Sequence, residues 1–309
     1  MLNYLFTRLI SAAFVVFGVS CLVFLLIHLV PGDPVELMLG ESARPADRES
    51  LRVALGLDQP VLTQLSHYLV NLMHFDLGLS IHQRQPISEI ILERFPSTLQ
   101  LAIVSLVIAI LIAIPLGSIA AIKRGTFWDY FAMGFSLFGI SIPNFWMGPL
   151  LILVFSLWLG WFPVSGNDGI LSLVLPALTL GTAMAAILAR MVRSTLLEVL
   201  GEDYIRTARA KGLSELQVVW QHGLRNALLP VITLVGLQLG TLLGGAVITE
   251  TVFSWPGLGQ LTIEAIQKRD YPVVQACILV ISLSYVVVNV VTDIIYAAID
   301  PRIRLGKSN

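Results

Sequence analysis

Six long stretches of this sequence carry almost no charge, and each is long enough to cross a lipid bilayer. They run from about Leu9 to Val30, Leu99 to Ile122, Phe131 to Leu159, Ile170 to Met191, Leu228 to Ile248 and Val273 to Ala298. Hydrocarbon offers no water to backbone N–H and C=O groups, so a spanning segment must be a helix or part of a closed barrel. Barrel strands are short and alternate in polarity, whereas these runs are continuous. The sequence therefore reads as an all-α polytopic membrane protein. Charged residues make up only 13% of the chain, against about 25% in soluble domains. The first run is too long for a signal sequence, and no small-residue cleavage site follows Val30, so it reads as a retained helix. Pro115 and Pro176 lie inside runs, and Ile142-Pro143-Asn144 interrupts the third.

Lysine and arginine placement sets the expected orientation. With the N-terminus inside, twelve of the 19 Lys and Arg residues fall on the cytoplasmic side. Five of the other seven, Arg44, Arg48, Arg52, Arg84 and Arg94, lie in one long loop, where the rule counts for little. Six spans with both termini cytoplasmic is the consistent arrangement. The expected organisation is an N-terminal helix at 1–30, an extracytoplasmic loop at 31–96, and a core at 97–309 with five spans. The loop is too long for a simple connector. It carries the turn Pro31-Gly32-Asp33-Pro34 and an amphipathic stretch, Val61 to Phe75, with Leu65, Leu69 and Leu72 on one face. Short interfacial or surface helices are expected there, as a folded cap or a docking surface.

Several chemistries are excluded. Cys21 and Cys277 both sit in apolar runs, with neither a disulfide framework nor metal-ligand spacing. A net charge of −1 points to no nucleic-acid partner. A phosphate-binding loop needs G-x-x-x-x-G-K-[ST]; the Gly-Lys-Ser at Gly306 to Ser308 has Pro301 where the first glycine belongs. No H-E-x-x-H occurs. The chain is expected to be neither an enzyme nor a cofactor holder.

Polar residues near spans are functional candidates. Asp293, one turn from Asn289, is expected to pair with Arg190 or Arg193. Glu250, at the outer end of the fifth run, is a candidate for a gate or substrate entry. His28 reads as an interfacial histidine. Gly236, Gly240 and Gly244 recur four apart, which lets helix backbones approach closely.

The most informative stretch is polar: YIRTARAKGLSELQVVWQHGLRNALLP, from Tyr204 to Pro230. A helix with Ile205 and Ala208 on its apolar face is expected to end at Gly212, where the backbone enters the left-handed region. Ser214 and Gln217 form the S-x-x-Q capping box of a second helix, with Leu216, Val219 and Trp220 as its apolar stripe. Arg206, Arg209 and Lys211 would face outward. Such a unit could meet anionic lipid headgroups or insert into a partner's groove.

The pattern Y-x-x-x-A-R-A-x-G-(x)9-H-x-L-x-N, carried by Tyr204, Ala208, Arg209, Ala210, Gly212, His222, Leu224 and Asn226, resembles the EAA loop of ATP-binding-cassette importer membrane subunits. Arg206-Thr207 and Arg225 depart from the general pattern in the way the B-type permease subunit of dipeptide, oligopeptide, nickel and glutathione importers does. LGLDQP (Leu55 to Pro60), VFSWPGLG (Val252 to Gly259), RDYPVVQ (Arg269 to Gln275) and DPRIR (Asp300 to Arg304) fit the same family, so the resemblance covers essentially the whole chain.

The resemblance implies a type I importer (MetI-like) permease fold in a bacterial inner membrane. It implies a sister permease, two ATPase subunits that carry ATP and Mg, and an extracytoplasmic substrate-binding protein. It makes the loop at about 198–227 a coupling element, with Tyr204, Arg206, Thr207, Ala208, Arg209, Gly212, Leu213, His222 and Asn226 as its residues. Dipeptides lead as substrate, followed by longer peptides and glutathione, then nickel chelates. An ion-coupled secondary transporter is the alternative from another class; it would favour repeated broken helices and several midplane charges.

Overall fold

A computed structural model describes residues 2–29, 33–40, 44–54 and 56–299. The Pro31-Gly32 turn, Leu55, the Asp300–Arg304 motif and the tail after it lie outside the described residues. Helix α1 (Leu2–Leu29) precedes three short helices, α2 (Pro34–Leu39), α3 (Pro45–Ala54) and α4 (Val61–Met73). Then come α5 (Ile87–Ile122), α6 (Phe127–Ser141), α7 (Asn144–Leu151) and α8 (Ile170–Leu200). The polar stretch forms α9 (Asp203–Ala210) and α10 (Glu215–Gln217). Helices α11 (Leu224–Gly245), α12 (Val247–Val252), α13 (Leu258–Lys268) and α14 (Tyr271–Ile299) follow. Two stretches of wider π-type winding, Ile152–Trp158 and Val218–Gly223, extend α7 and lead into α11.

Among the described residues, five helices are long and apolar enough to cross a membrane, and the bent pair containing α6 and α7 makes a sixth if it is one span. The bend is 102° and falls at the expected break. Pro143 disfavours a helical backbone at the residue before it, and Ile142 is extended at φ −89°, ψ 117°. Helix α5 starts earlier than its apolar run, because the amphipathic turns from Ile87 to Arg94 bury Ile87, Ile90 and Ile91 before the span begins.

The core is α5 against α8. Ser105, Ala109, Ala113, Gly117 and Ala121 recur every fourth residue on α5, and Ala177, Gly181, Ala185 and Ala189 do so on α8. All nine are buried. A Cβ on Gly117 would stand 2.5 Å from the Ala189 carbonyl oxygen, and one on Gly181 2.9 Å from that of Ser105. The two backbones therefore touch, the close packing by which membrane helices associate.

Helix α11 lies on α14 in the same way. Gly236 accommodates Thr292 and Gly240 accommodates the Tyr285 ring, while Gly244 meets Ile281 only at ordinary contact distance. Helix α1 packs along α14. There the expected pairing of Asp293 is corrected: its carboxylate binds Arg8 of α1 at 3.2 Å. Arg193 instead donates two hydrogen bonds to Asp129, at 2.6 and 2.8 Å, fastening α6 to α8. Asp293 and Arg193 sit on helices that serve different neighbours, which spacing along the chain does not reveal.

Gly117→Ala should lower the thermal midpoint of the purified protein in detergent, through overpacking that costs about 1–3 kcal/mol. Gly134, around which an added Cβ meets nothing within 4 Å, should tolerate alanine with no measurable shift.

Candidate functional site

The helix pair α9–α10 hangs from the end of α8 by only Gly201 and Glu202. Its turn is set by local chemistry. Gly212 has φ +81°, a conformation that costs other L-residues about 1–2 kcal/mol. The Gly212 N–H donates to the Arg209 carbonyl at 2.9 Å, and the Leu213 N–H to that of Ala208 at 3.5 Å. These are the two bonds of a Schellman ending, with Leu213 folded back on the helix. Ser214 then caps α10 through the expected capping box: its Oγ accepts from the Gln217 N–H, and Gln217 Oε1 accepts from the Ser214 N–H.

The pair is anchored as well as turned. Ile205, Ala208 and Val218 are buried together, with Val199, Leu200 and Leu213 packed against them. Asn226 Nδ2 donates to the Tyr204 hydroxyl at 2.8 Å, tying α9 to the start of α11. Gly223 lets the loop approach Leu196 of α8, and half-buried His222 precedes it. Arg206 and Lys211 are exposed as expected, and Thr207 is exposed beside them. Arg209 is exposed too but is not free to reach outward: it donates to both Glu215 oxygens, at 2.8 and 3.2 Å, and so bridges the turn.

The expected stripe of Leu216, Val219 and Trp220 does not form. Val218 and Val219 are buried, while Leu216 and Trp220 are 69% and 57% exposed. The wider winding from Val218 onward changes the rotation per residue, so spacing tuned to 3.6 residues per turn misplaces the face. Tyr204, Leu216 and Trp220 thus remain exposed on a rigidly held pair.

At the opposite end of the bundle, Glu250 is wholly buried. It sits on α12, after the end of α11. Its Oε1 accepts from the Thr98 hydroxyl at 2.8 Å, and its Oε2 from the Gly259 and Gln260 N–H groups at 2.7 and 3.0 Å. Thr98 Oγ1 in turn accepts from the Leu258 N–H at 2.8 Å, and Trp255 Nε1 donates to the Ser97 carbonyl at 2.9 Å. A Cβ on Gly257 would collide with the carboxylate. The stretch Trp255 to Gly259 is therefore wrapped around Glu250 and pinned to α5. Burial pushes the Glu250 carboxyl above the ordinary glutamate range, while the Thr98, Gln260 and Gly259 donors pull it back down. Glu250, the candidate for a gate or substrate entry, is thus enclosed by protein donors in this structure.

A second buried carboxylate, Asp270, accepts from the Ser80 hydroxyl at 2.6 Å and joins the 79–86 loop to the start of α14. Thr98, Ser80 and Asp129 were not legible as site residues. Each meets a partner more than 60 residues away.

Comparison with known proteins follows the same outline. Residues 113–305 match the family described as binding-protein-dependent transport system inner membrane component, and residues 1–102 match its N-terminal companion family. The glutathione transport system permease protein GsiC of Escherichia coli strain K12 is 49% identical over 304 residues, covering 98% of this chain and 99% of that protein. GsiC of Shigella flexneri serotype 5b is similar to the same extent. Among solved structures, an inward-facing MetNI methionine ABC transporter chain superposes with a TM-score of 0.61 at 22% identity, over 70% of this chain and 99% of that one. An amino acid ABC transporter chain reaches 0.51 at 15%, over 70% and 94%. These structures share the fold.

Glu250→Ala should orphan three buried donors, at about 1–3 kcal/mol each, and lower the thermal midpoint sharply. Glu250→Gln keeps an acceptor but cannot titrate. Because the folded carboxyl is raised, its stabilising contribution is full below the unfolded value of about 4.3 and is lost as pH rises through the folded value. The wild-type midpoint should therefore fall across that window relative to the Gln variant, in a scan of both proteins from pH 4 to 8.

Proposed function

Since this chain belongs to the family of binding-protein-dependent transport system inner membrane components, we propose that it forms half of the pathway of an ATP-driven importer of short peptides. It is a permease subunit with no ATPase domain of its own. Its partners in this reading are a sister permease, two ATPases that hold ATP and Mg, and an extracytoplasmic binding protein. The membrane is the bacterial inner membrane, with both termini cytoplasmic. That orientation places the α9–α10 pair inside the cell and the Glu250 node outside.

The observation that carries the reading is the rigid α9–α10 turn. It is locked by Gly212 and the capping box, anchored to α8 and α11, and leaves Tyr204, Leu216 and Trp220 exposed. An apolar, pre-shaped helix end of this kind suits the groove of an ATPase better than a flat lipid surface. ATP-driven closure of two ATPases would pull this pair toward its counterpart in the sister subunit, and the short joint passes that motion to α8. Glu250 and Asp293 serve the pathway by holding its helices, through Thr98 and Arg8 respectively. Gly236, Gly240 and Gly244 serve as the seam between α11 and α14.

For substrate, peptides of two or three residues are the class to test, with glutathione first because the GsiC relatives carry that name.

Gly212→Trp tests the coupling assignment. Nothing lies within 4 Å of a Cβ there, so the chain itself has room. The strained turn and the added bulk act on the docked partner. Uptake of labelled glutathione or dipeptide by cells carrying the full importer should fall about tenfold or more, the effect of a 1.4 kcal/mol misfit. Membrane content should be unchanged. Wild-type uptake would refute the assignment.

A further inference from the structure

Between the end of α1, helix α4, the 76–86 loop and the start of α14 lies a chamber of about 980 Å³. That is the upper end of the range for small-molecule pockets, about 300–1,000 Å³. None of its lining comes from α5 to α13, so it stands apart from the α5–α8 core. It lies at the end of the bundle that holds Asp270, the extracytoplasmic end in the orientation proposed above. Phe24 and Ile27 of α1, with Leu57, Leu77, Leu79 and Ile81 of the loops, give it apolar walls.

Two groups of opposite charge line this chamber and do not meet. Asp76 and Arg84 form no ion pair with each other, and neither has an ion-pair partner among the described residues. Asp76 Oδ1 accepts from the Gly78 N–H at 2.8 Å, which orients the carboxylate and leaves Oδ2. Arg84 stands on a fixed loop. The Ser80 N–H donates to the Gln85 carbonyl and the Arg84 N–H to the Ser80 carbonyl, both at 3.0 Å, and the Ser80 hydroxyl is bonded to buried Asp270. Arg84 itself has φ +55°, a left-handed backbone that residues other than glycine adopt at a cost. The loop holds that conformation while the guanidinium donates to none of the described residues.

Two amides complete the polar lining. Gln275 donates its Nε2 to the Val23 carbonyl at 3.0 Å, so its Oε1 remains as an acceptor. The exposed Asn71 side chain has no hydrogen-bond partner among the described residues and can both donate and accept. Gln64, by contrast, is spent on structure, with Oε1 at 3.1 Å from His28 Nε2 and Nε2 on the Gln59 carbonyl at 2.7 Å.

We propose that this chamber is a second ligand site, outside the helix core, for a short zwitterionic peptide. Arg84 takes the terminal carboxylate, Asp76 the terminal ammonium, and Asn71 and Gln275 the peptide bond between them. A lone anion would confront Asp76 and a lone cation would confront Arg84, so a molecule carrying both charges is the complement. The choice of a peptide over another zwitterion rests on the importer reading; the separated charges do not.

Binding is measured on the complex of permease, sister subunit and ATPases, without the binding protein, in nanodiscs of phosphatidylglycerol, which has no zwitterionic headgroup. The probes are labelled alanyl-phenylalanine, its N-acetyl form and its C-terminal amide. The free dipeptide should bind saturably and each blocked form about tenfold more weakly, the scale of one hydrogen bond to a charged group. Arg84→Gln should abolish the preference over the amide and keep that over the acetyl form; Asp76→Asn should do the converse. Unchanged preferences in both variants would place the binding elsewhere and overturn the proposal, as would the absence of saturable binding. Loss of binding when phosphatidylethanolamine is added to the discs would show a lipid headgroup as the occupant and overturn it equally. A dipeptide carrying a diazirine locates the site on the wild-type complex: adducts are expected within 57–86 or 272–276, and adducts confined to other segments count against it. Uptake by cells carrying the full importer separates the two readings. Binding here without any peptide uptake would sink the importer reading and leave the site standing, and uptake without binding here would do the reverse.

Discussion

Everything in this molecule hangs on the approach of two backbones, those of α5 and α8. In lipid, burying apolar surface yields no net gain, because the tails are as apolar as leucine. What remains is contact, and contact is closest where side chains are absent or reduced to a methyl. The stripes from Ser105 to Ala121 and from Ala177 to Ala189 supply that over about four turns of α5 and three of α8. Around this seam the other elements attach by single specific devices. Helix α6 is fastened by Asp129 and Arg193, α11 is seated on α14 at Gly236 and Gly240, and α1 is held to α14 at Arg8 and Asp293.

Three buried carboxylates sit toward the two ends, and each is enclosed. Glu250 has three donors, Asp129 has Arg193 and the Gly125 N–H, and Asp270 has Ser80. A charge at the rim of a membrane protein is costly unless so surrounded. The same bonds place loops on helices. Glu250 organises the 255–259 turn, and Asp270 organises the 79–86 loop. One end of the bundle thus presents a shaped, partly apolar helix pair, and the other a set of loops pinned to the core.

What could be read from the residues was what is local. Gly212, the Ser214–Gln217 box and the Pro143 break act within a few residues, and each stands where spacing puts it. The spans follow from apolar length alone. The pairings that close the site did not read out. Arg8 meets Asp293 across 285 positions, and Thr98 meets Glu250 across 152; a carboxylate's neighbours at such separation are set by packing. Leu216 and Trp220 escaped for a different reason, since π-type winding breaks the periodicity on which face assignment rests. The α5–α8 stripes carry a readable four-residue period. Alanine and serine inside an apolar run look like filler, whereas the three glycines of α11 stand out.

The shortness of the joint between α8 and α9 has a mechanical side. Helix α8 is one unbroken rod of 31 residues, about 46 Å long. Two residues separate it from α9, too few to act as a swivel, and Ile205 with Leu200 and Val199 fills the corner. A rotation of about 5° imposed at α9 would sweep the distant tip of such a rod through about 4 Å, the diameter of a methylene chain, with no bond broken along its length. Stiffness at that one corner therefore sets the gearing between the two faces of the membrane.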